Sequence, residues 1–266
     1  MRIVALLAVR NEQPYMERCL RHLHEQGIET CVIDNESTDA TRSIAESFRD
    51  KGVFHIETFR YQGYYDWVGL LARKQELAAQ IEADWFIHHD ADEIRESPEM
   101  GQTLAEGIHA ADADGFNAVN FDEFVFLPAD ADSSFEGRDY YAEMEYYYHF
   151  EPAPYHRVNA WKRAESKVDL VTSGGHSATF EGRLISTKPF VLRHYIMLSR
   201  NHGVRKYVKE RTYAEDEVRQ RGWHGWRPNF SEHRLNLPPA DKLCRAWPGK
   251  PLSKHETFAA HRFVVD

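Results

Sequence analysis

Two aspartates one residue apart, Asp90 and Asp92, stand at the end of the apolar run in "DWFIHHDADEI", Asp84 to Ile94. Two carboxylates at this spacing past a strand suit a divalent cation better than a proton relay. Their hard oxygens select Mg²⁺ or Mn²⁺, ions that keep several waters and bridge to substrate phosphates. Such an ion offsets charge that builds on a leaving diphosphate. The spacing itself is common, because Asp112/Asp114 and Asp130/Asp132 repeat it. Those pairs lie in polar, alanine-rich stretches with no strand leading in, and read as solvated loops. His88 and His89 precede the acids, yet "HHDAD" lacks the H-x-H-x-D-H order of a zinc hydrolase. His88 reads as a hydrogen-bonded core histidine.

The elements that must carry these acids alternate. A first strand is expected over Ile3–Val9. Pro14 then opens a helix with Met16, Leu20 and Leu23 on one face, stopped by Gly27. "TCVID" is a second strand ending at Asp34, followed by the polar turn "NESTD". Asp39 reads as the N-cap of a helix carrying Ile44 and Phe48, which Gly52 closes. "VFHIETF" is a third strand and "WFIHH" a fourth. Between them a helix over roughly 67–81 buries Leu70, Leu71, Leu77 and Ala78. Strands separated by helices imply a parallel sheet. Ligands bind outside the carboxyl ends of such strands, so Arg10, Asn11, Glu12, Asp34, Asp90 and Asp92 are expected along one edge.

The second half reads as a mixed or antiparallel extension, with strands in "GFNAVNFDEFVF", "RVNAWKR" and "LISTKPFVLRHY". The tyrosine-rich run between Pro128 and Pro154 reads as a loop over the site. Ser199 is expected to cap a helix reaching about Gln220. We divide the chain into a domain over 1–221, with halves 1–94 and 95–221, and an irregular tail over 222–266 packed on it. A formal net charge of −9 argues against non-specific nucleic-acid binding and means that an anionic substrate needs a cation or a local basic cluster. Three cysteines without C-x-x-C spacing point to a reduced compartment. The N-terminal apolar run is too short for a signal peptide and no stretch is long enough to span a bilayer, so a cytoplasmic protein is expected.

"ALLAVRNE", "CVIDNESTDAT" and "DWFIHHDADEI", in this order and spacing, resemble the nucleotide-sugar-binding half of glycosyltransferase family 2. The resemblance implies a GT-A type α/β fold: a Rossmann-like, mostly parallel sheet with helices on both faces and a mixed-sheet second half. It implies an inverting hexosyl- or N-acetylhexosaminyl-transferase that takes a nucleotide sugar, most often a UDP-sugar, with Mn²⁺ or Mg²⁺ as cofactor. Ala8 to Asn11, including Arg10, would hold the base and ribose together with Asp34. Asp90 would approach ribose and metal, and Asp92 would bind the metal. Arg73 or Lys74, in "LLARKQELA", matches a basic position near the donor. Many members end the second strand with two acids, whereas this chain has Asp34-Asn35; the Asn35 amide can still pair with a uracil edge.

An inverting displacement needs a carboxylate as general base. Asp122 and Glu123, after "FNAVNF", are the leading candidates and Glu181 is the second choice. A metal also needs a ligand beyond the pair. His194, at the end of "FVLRH", matches an "HY" in similar proteins and is preferred; His176, in "TSGGHSA", is then an acceptor or donor-phosphate contact. Imidazole in the ligand set favours Mn²⁺. A carbohydrate, lipid or protein acceptor is left open. The rival readings are a sugar nucleotidyltransferase, which wants a glycine-rich loop after strand one where "AVRNEQPY" has none, and a non-catalytic nucleotide- or carbohydrate-binding protein.

Overall fold

In the computed structural model, which describes every residue except Glu165, Trp226 and Asp266, the leading apolar run forms β1 (Ile3–Val9). The chain continues through α1 (Gln13–Glu25), β2 (Glu29–Asp34), α2 (Thr41–Glu46), β3 (Val53–Thr58), α3 (Trp67–Gln80), β4 (Trp85–His89) and β5 (Glu93–Glu96). Then come α4 (Leu104–Ala113), β6 (Ala118–Phe126), α5 (Tyr140–Glu143), β7 (Tyr146–Phe150), β8 (Val158–Lys162) and β9 (Phe190–His194). The remainder holds α6 (Arg200–Val204), a π-helical turn over Arg205–Glu210, α7 (Glu215–Arg219) and the two-residue strands β10 (Cys244–Arg245) and β11 (Thr257–Phe258). Two compact units result: residues 1–61, 67–122 and 155–192 form one, and 62–66, 123–154 and 193–266 the other.

The first unit is built on a sheet in the order β6-β8-β4-β1-β2-β3. β1 pairs in parallel with both β2 and β4, and β2 with β3, whereas β8 is antiparallel to β4. β1 is central, and Val4, Ala5, Leu6 and Leu7 are fully buried, as a strand covered on both faces requires. On α1, Met16, Leu20 and Leu23 face the core at helical spacing, each contributing on the order of 2 kcal/mol by burial. The parallel register sets Val9 beside Asp34 and Leu7 beside His89. The chain ends of β1, β2 and β4 therefore emerge at one edge.

The second unit is organised around β7, antiparallel to the last four residues of β6 and flanked by β10 and β11. Its core joins Tyr148, Phe150, Ile196, Met197 and Tyr207 to Phe230, Leu235 and Phe263 from the tail. Among the described residues no helix is long and apolar enough to cross a membrane.

Four expectations are corrected. The run between Pro128 and Pro154 is not simply a loop: "YYYHF" is β7, because Tyr147 and Tyr148 both find buried places in the ladder with β6. The helix begun at Ser199, whose Oγ accepts from His202 N–H at 2.9 Å, does not reach Gln220. It widens into the π turn and stops at Arg211, where Thr212 O takes the N–H of Tyr65 at 2.7 Å and Tyr213 bridges to Tyr65. Asp112 lies not in a loop but in α4, which a Thr103/Glu106 capping box starts; its carboxylate meets Trp85 Nε1 at 3.0 Å and Lys162 Nζ at 2.7 Å. Ala40, not Asp39, holds the N-cap position of α2, although Asp39 Oδ1 still accepts Thr41 N–H at 2.9 Å.

Candidate functional site

At the β1 exit the backbone turns sharply. Asn11 adopts the left-handed conformation (φ 54°), which Asn tolerates better than most residues. Its Oδ1 accepts Thr38 N–H at 2.8 Å, and its own N–H donates to Ser37 Oγ at 3.1 Å. Arg10 Nη1 donates to the carbonyls of Asn35 (2.6 Å) and Glu36 (2.5 Å), and the guanidinium lies over the Tyr61 ring. Ala8, two residues before Arg10, is half-buried. Asp34 is buried, accepting Ser37 N–H at 3.2 Å with Arg42 Nη1 3.5 Å from its other oxygen. Asn35 is 1% exposed; its Nδ2 donates to Phe59 O at 3.0 Å, while Oδ1 has no hydrogen-bond partner among the described residues. A buried acceptor without a donor is costly unless a ligand supplies one.

At the β4 exit the groups are charged and more deeply set. Lys74, on α3, is 0% exposed. Its ammonium donates to His88 Nδ1 (3.0 Å) and His89 O (3.1 Å) and stands 3.7 Å from Asp90 Oδ1. Burial pulls its pKa down to about 8, with Asp90 and Glu93 opposing the shift. Burial also holds His88 and His89 well below the ordinary imidazole range, so both are neutral. Asp90 keeps a third of its side chain exposed and Asp92 is buried. Among the described residues no group of three or more His, Cys, Asp or Glu side chains is assembled to hold a metal.

Beside this edge runs the loop carrying His176. Gly175 has φ +82°, and a Cβ there would lie 3.0 Å from both His88 Nε2 and the Trp67 ring, so only glycine lets the loop approach this closely. Trp67 Nε1 donates to Gly174 O at 2.9 Å. The exposed His176 ring stacks on His156 with centroids 4.7 Å apart, and Arg157 Nη1 reaches its Nδ1 at 3.2 Å.

The structure thus groups Asp90, Asp92 and Lys74 in the first unit, with Arg10, Asn11, Asp34 and Asn35 along the same sheet edge. It sends Arg73 elsewhere: its guanidinium grips both oxygens of Glu57 (2.7 and 2.8 Å) and Glu76 (2.8 Å). Asp122 and Glu123 are neighbours on β6 and so face opposite sides. Asp122 is half-buried; Glu123 is buried in the second unit, with Oε1 2.6 Å from His194 Nδ1. A metal could engage His194 only through Nε2. Glu181 sits exposed in a turn. All three cysteines are free, and burial pushes the Cys31 thiol up to about 12, which makes it inert. Sequence reasoning missed Arg95, Asn159 and Arg157. Only the opposite charges of Glu93 and Arg95, two residues apart on one strand face, offered a signal.

Residues 5–119 match the family model described as Glycosyl transferase family 2. The lipopolysaccharide core biosynthesis glycosyltransferase LpsC of Rhizobium meliloti (strain 1021) is 31% identical over 108 residues, 41% of this chain and 37% of that protein. An uncharacterized glycosyltransferase of Rickettsia bellii (strain RML369-C) is 32% identical over 92 residues, 35% of this chain and 28% of the other. The match thus spans well under half the length of either relative. Among solved structures, S. aureus TarS 1-349 is 13% identical, with a TM-score of 0.46 over 73% of this chain and 60% of that one.

Proposed function

We propose that this chain, whose residues 5–119 match the glycosyltransferase family 2 model, moves a sugar from a nucleotide sugar, a UDP-sugar in our reading, to an acceptor hydroxyl with inversion. One observation carries it. A single edge of a parallel sheet presents a buried acceptor on Asn35, the Asp90 and Asp92 carboxylates, and the buried Lys74 ammonium. The α/β arrangement is of the GT-A kind.

Asp90 and Asp92 fit a hard divalent cation, Mn²⁺ or Mg²⁺, that completes its shell from water and phosphate, since no further protein ligand is grouped with them among the described residues. When bound, the ion supplies charge stabilisation to the departing diphosphate. The chain's own residues do the rest. Asn35 Oδ1 accepts an N–H from the base edge, a role uracil N3–H fills, and the Asp34 turn encloses the ribose. Lys74 orients Asp90 and adds a fixed positive charge that an acidic protein otherwise lacks. His176, held at the edge by its glycine loop, contacts the donor phosphates or the acceptor. Asp122 takes the acceptor proton in this reading, because Glu123 is committed to His194.

Incubation with a panel of UDP- and GDP-sugars plus Mn²⁺, followed by measurement of free nucleotide, tests the proposal. Release from a UDP-sugar that EDTA abolishes is expected. Release that EDTA leaves untouched removes the cation from the mechanism, and UDP binding without turnover of any donor reduces the chain to a binding protein.

A further inference from the structure

Behind the two aspartates lies a buried polar chain that donor binding does not by itself require. Its centre is Arg95, 0% exposed. Arg95 Nη2 donates to Glu93 Oε2 at 2.5 Å, and that same oxygen accepts the backbone N–H of Asp90 at 3.2 Å. Nη2 also donates to Asn159 Oδ1 at 3.2 Å. The Asn159 Nδ2 group in turn donates to the carbonyls of Gly175 (2.8 Å) and His176 (3.3 Å). Arg95 Nε donates to His89 Nδ1 at 3.1 Å, and the Phe121 ring covers the guanidinium at 4.4 Å. One planar cation therefore links the backbone of the Asp90–Asp92 turn to the backbone of the Gly174–His176 loop.

We propose that Arg95 is a positioning residue that couples these two segments, so that the metal-side acids and His176 keep one spacing. Arginine suits the task because its fork is rigid and reaches in two directions, which a lysine cannot do. Stability alone does not account for the arrangement. Burying an ion pair gains little over an apolar pair of similar volume. Arg95 Nη1 and His89 Nε2 are also buried with no hydrogen-bond partner among the described residues. A network that leaves donors unsatisfied is retained for its geometry. The loop is also held from its other side, where Trp67 Nε1 donates to Gly174 O at 2.9 Å. The bearing of this bridge on donor binding rests on the proposed function; the mechanical link does not.

Asn159→Ala removes only the loop end of the bridge. Hydrogen exchange followed by mass spectrometry should show about tenfold faster exchange both in a peptide covering 173–177 and in one covering 88–93. Acceleration confined to 173–177 overturns the coupling. Mn²⁺ titrations in the presence of UDP then compare Glu93→Gln, Asn159→Ala and the double variant. Each single change should weaken apparent Mn²⁺ affinity about tenfold, and the double by about the same factor, because either cut breaks the bridge. Arg95→Lys keeps the charge without the fork and should match the single cuts. Multiplicative losses near a hundredfold in the double variant, or no loss in any, overturn the proposal. If wild type binds no UDP with Mn²⁺, the functional reading fails while the exchange experiment still decides the bridge; it does so equally if Glu93→Gln fails to fold.

Discussion

The exits of β2 and β4 open onto the same sheet edge but are built from different materials. At β2 the polar side chains are tied to nearby backbone: Asp34 to Ser37, Asn35 to Phe59, Arg10 to Asn35 and Glu36. Asp34 is the buried ion there among the described residues, with Arg42 3.5 Å away. At β4 two cations, Lys74 and Arg95, are wholly buried against Asp90 and Glu93 and against neutral histidines. The contrast teaches that the β2 exit is shaped by hydrogen bonds to backbone, whereas the β4 exit sets its carboxylates against buried counter-charge from α3 and β5.

Asp92→Asn tests the β4 side most severely. Turnover should fall by about a hundredfold or more with the fold intact, because a ligand matters at least as much as the outer contacts around it; a nucleotide-release assay beside a thermal melt reads both. A variant that melts early yet keeps full activity per folded molecule would make Asp92 structural. Next, Arg95→Met strands Glu93 as a buried charge and should cost about 3–5 kcal/mol in denaturant unfolding. Asn35→Ala loses one bond to backbone and should cost only about 1 kcal/mol. Equal costs for the two would erase the contrast between the exits.

Arg73→Ala sharpens the comparison from outside the site. Its pairs with Glu57 and Glu76 are partly exposed, so stability should drop by at most about 1 kcal/mol and nucleotide release should hardly change. Lys74→Met, one residue along, should reduce release strongly in the same assay.

The smallest effect concerns pH. His22 is buried, with Nε2 2.8 Å from Arg95 O, and burial lowers its pKa below the usual imidazole value. The unfolded chain therefore binds a proton that the folded chain refuses. Stability should be full above pH 6.5 and should decline as pH falls below it towards the folded pKa. His22→Phe should flatten that part of the stability curve; an unchanged slope would place the titrating group elsewhere.

What could be read from the amino-acid order alone is what depends on neighbours in the chain. Consecutive apolar residues marked β1 and β4, Met16, Leu20 and Leu23 marked a helix face, and Asp34 and Asp90 were placed at strand ends on one edge. Side-chain period and turn chemistry act over a few residues, so such features are legible. Arg73 and Lys74 were legible as basic residues on a helix, but not that Lys74 is the buried one, held 3.0 Å from His88. The tertiary structure alone decided what depends on contact across the sheet. It turned "YYYHF" into a strand by giving it β6 as partner, and it ended the helix after Ser199 where Tyr65 claims the backbone of Thr212. It also buried Lys74 while it paired Arg73 with Glu57 and Glu76, and it joined Arg95 to Asn159, 64 residues away. Those choices rest on burial and on long-range hydrogen bonds, and both come into being only once the sheet has brought distant residues together.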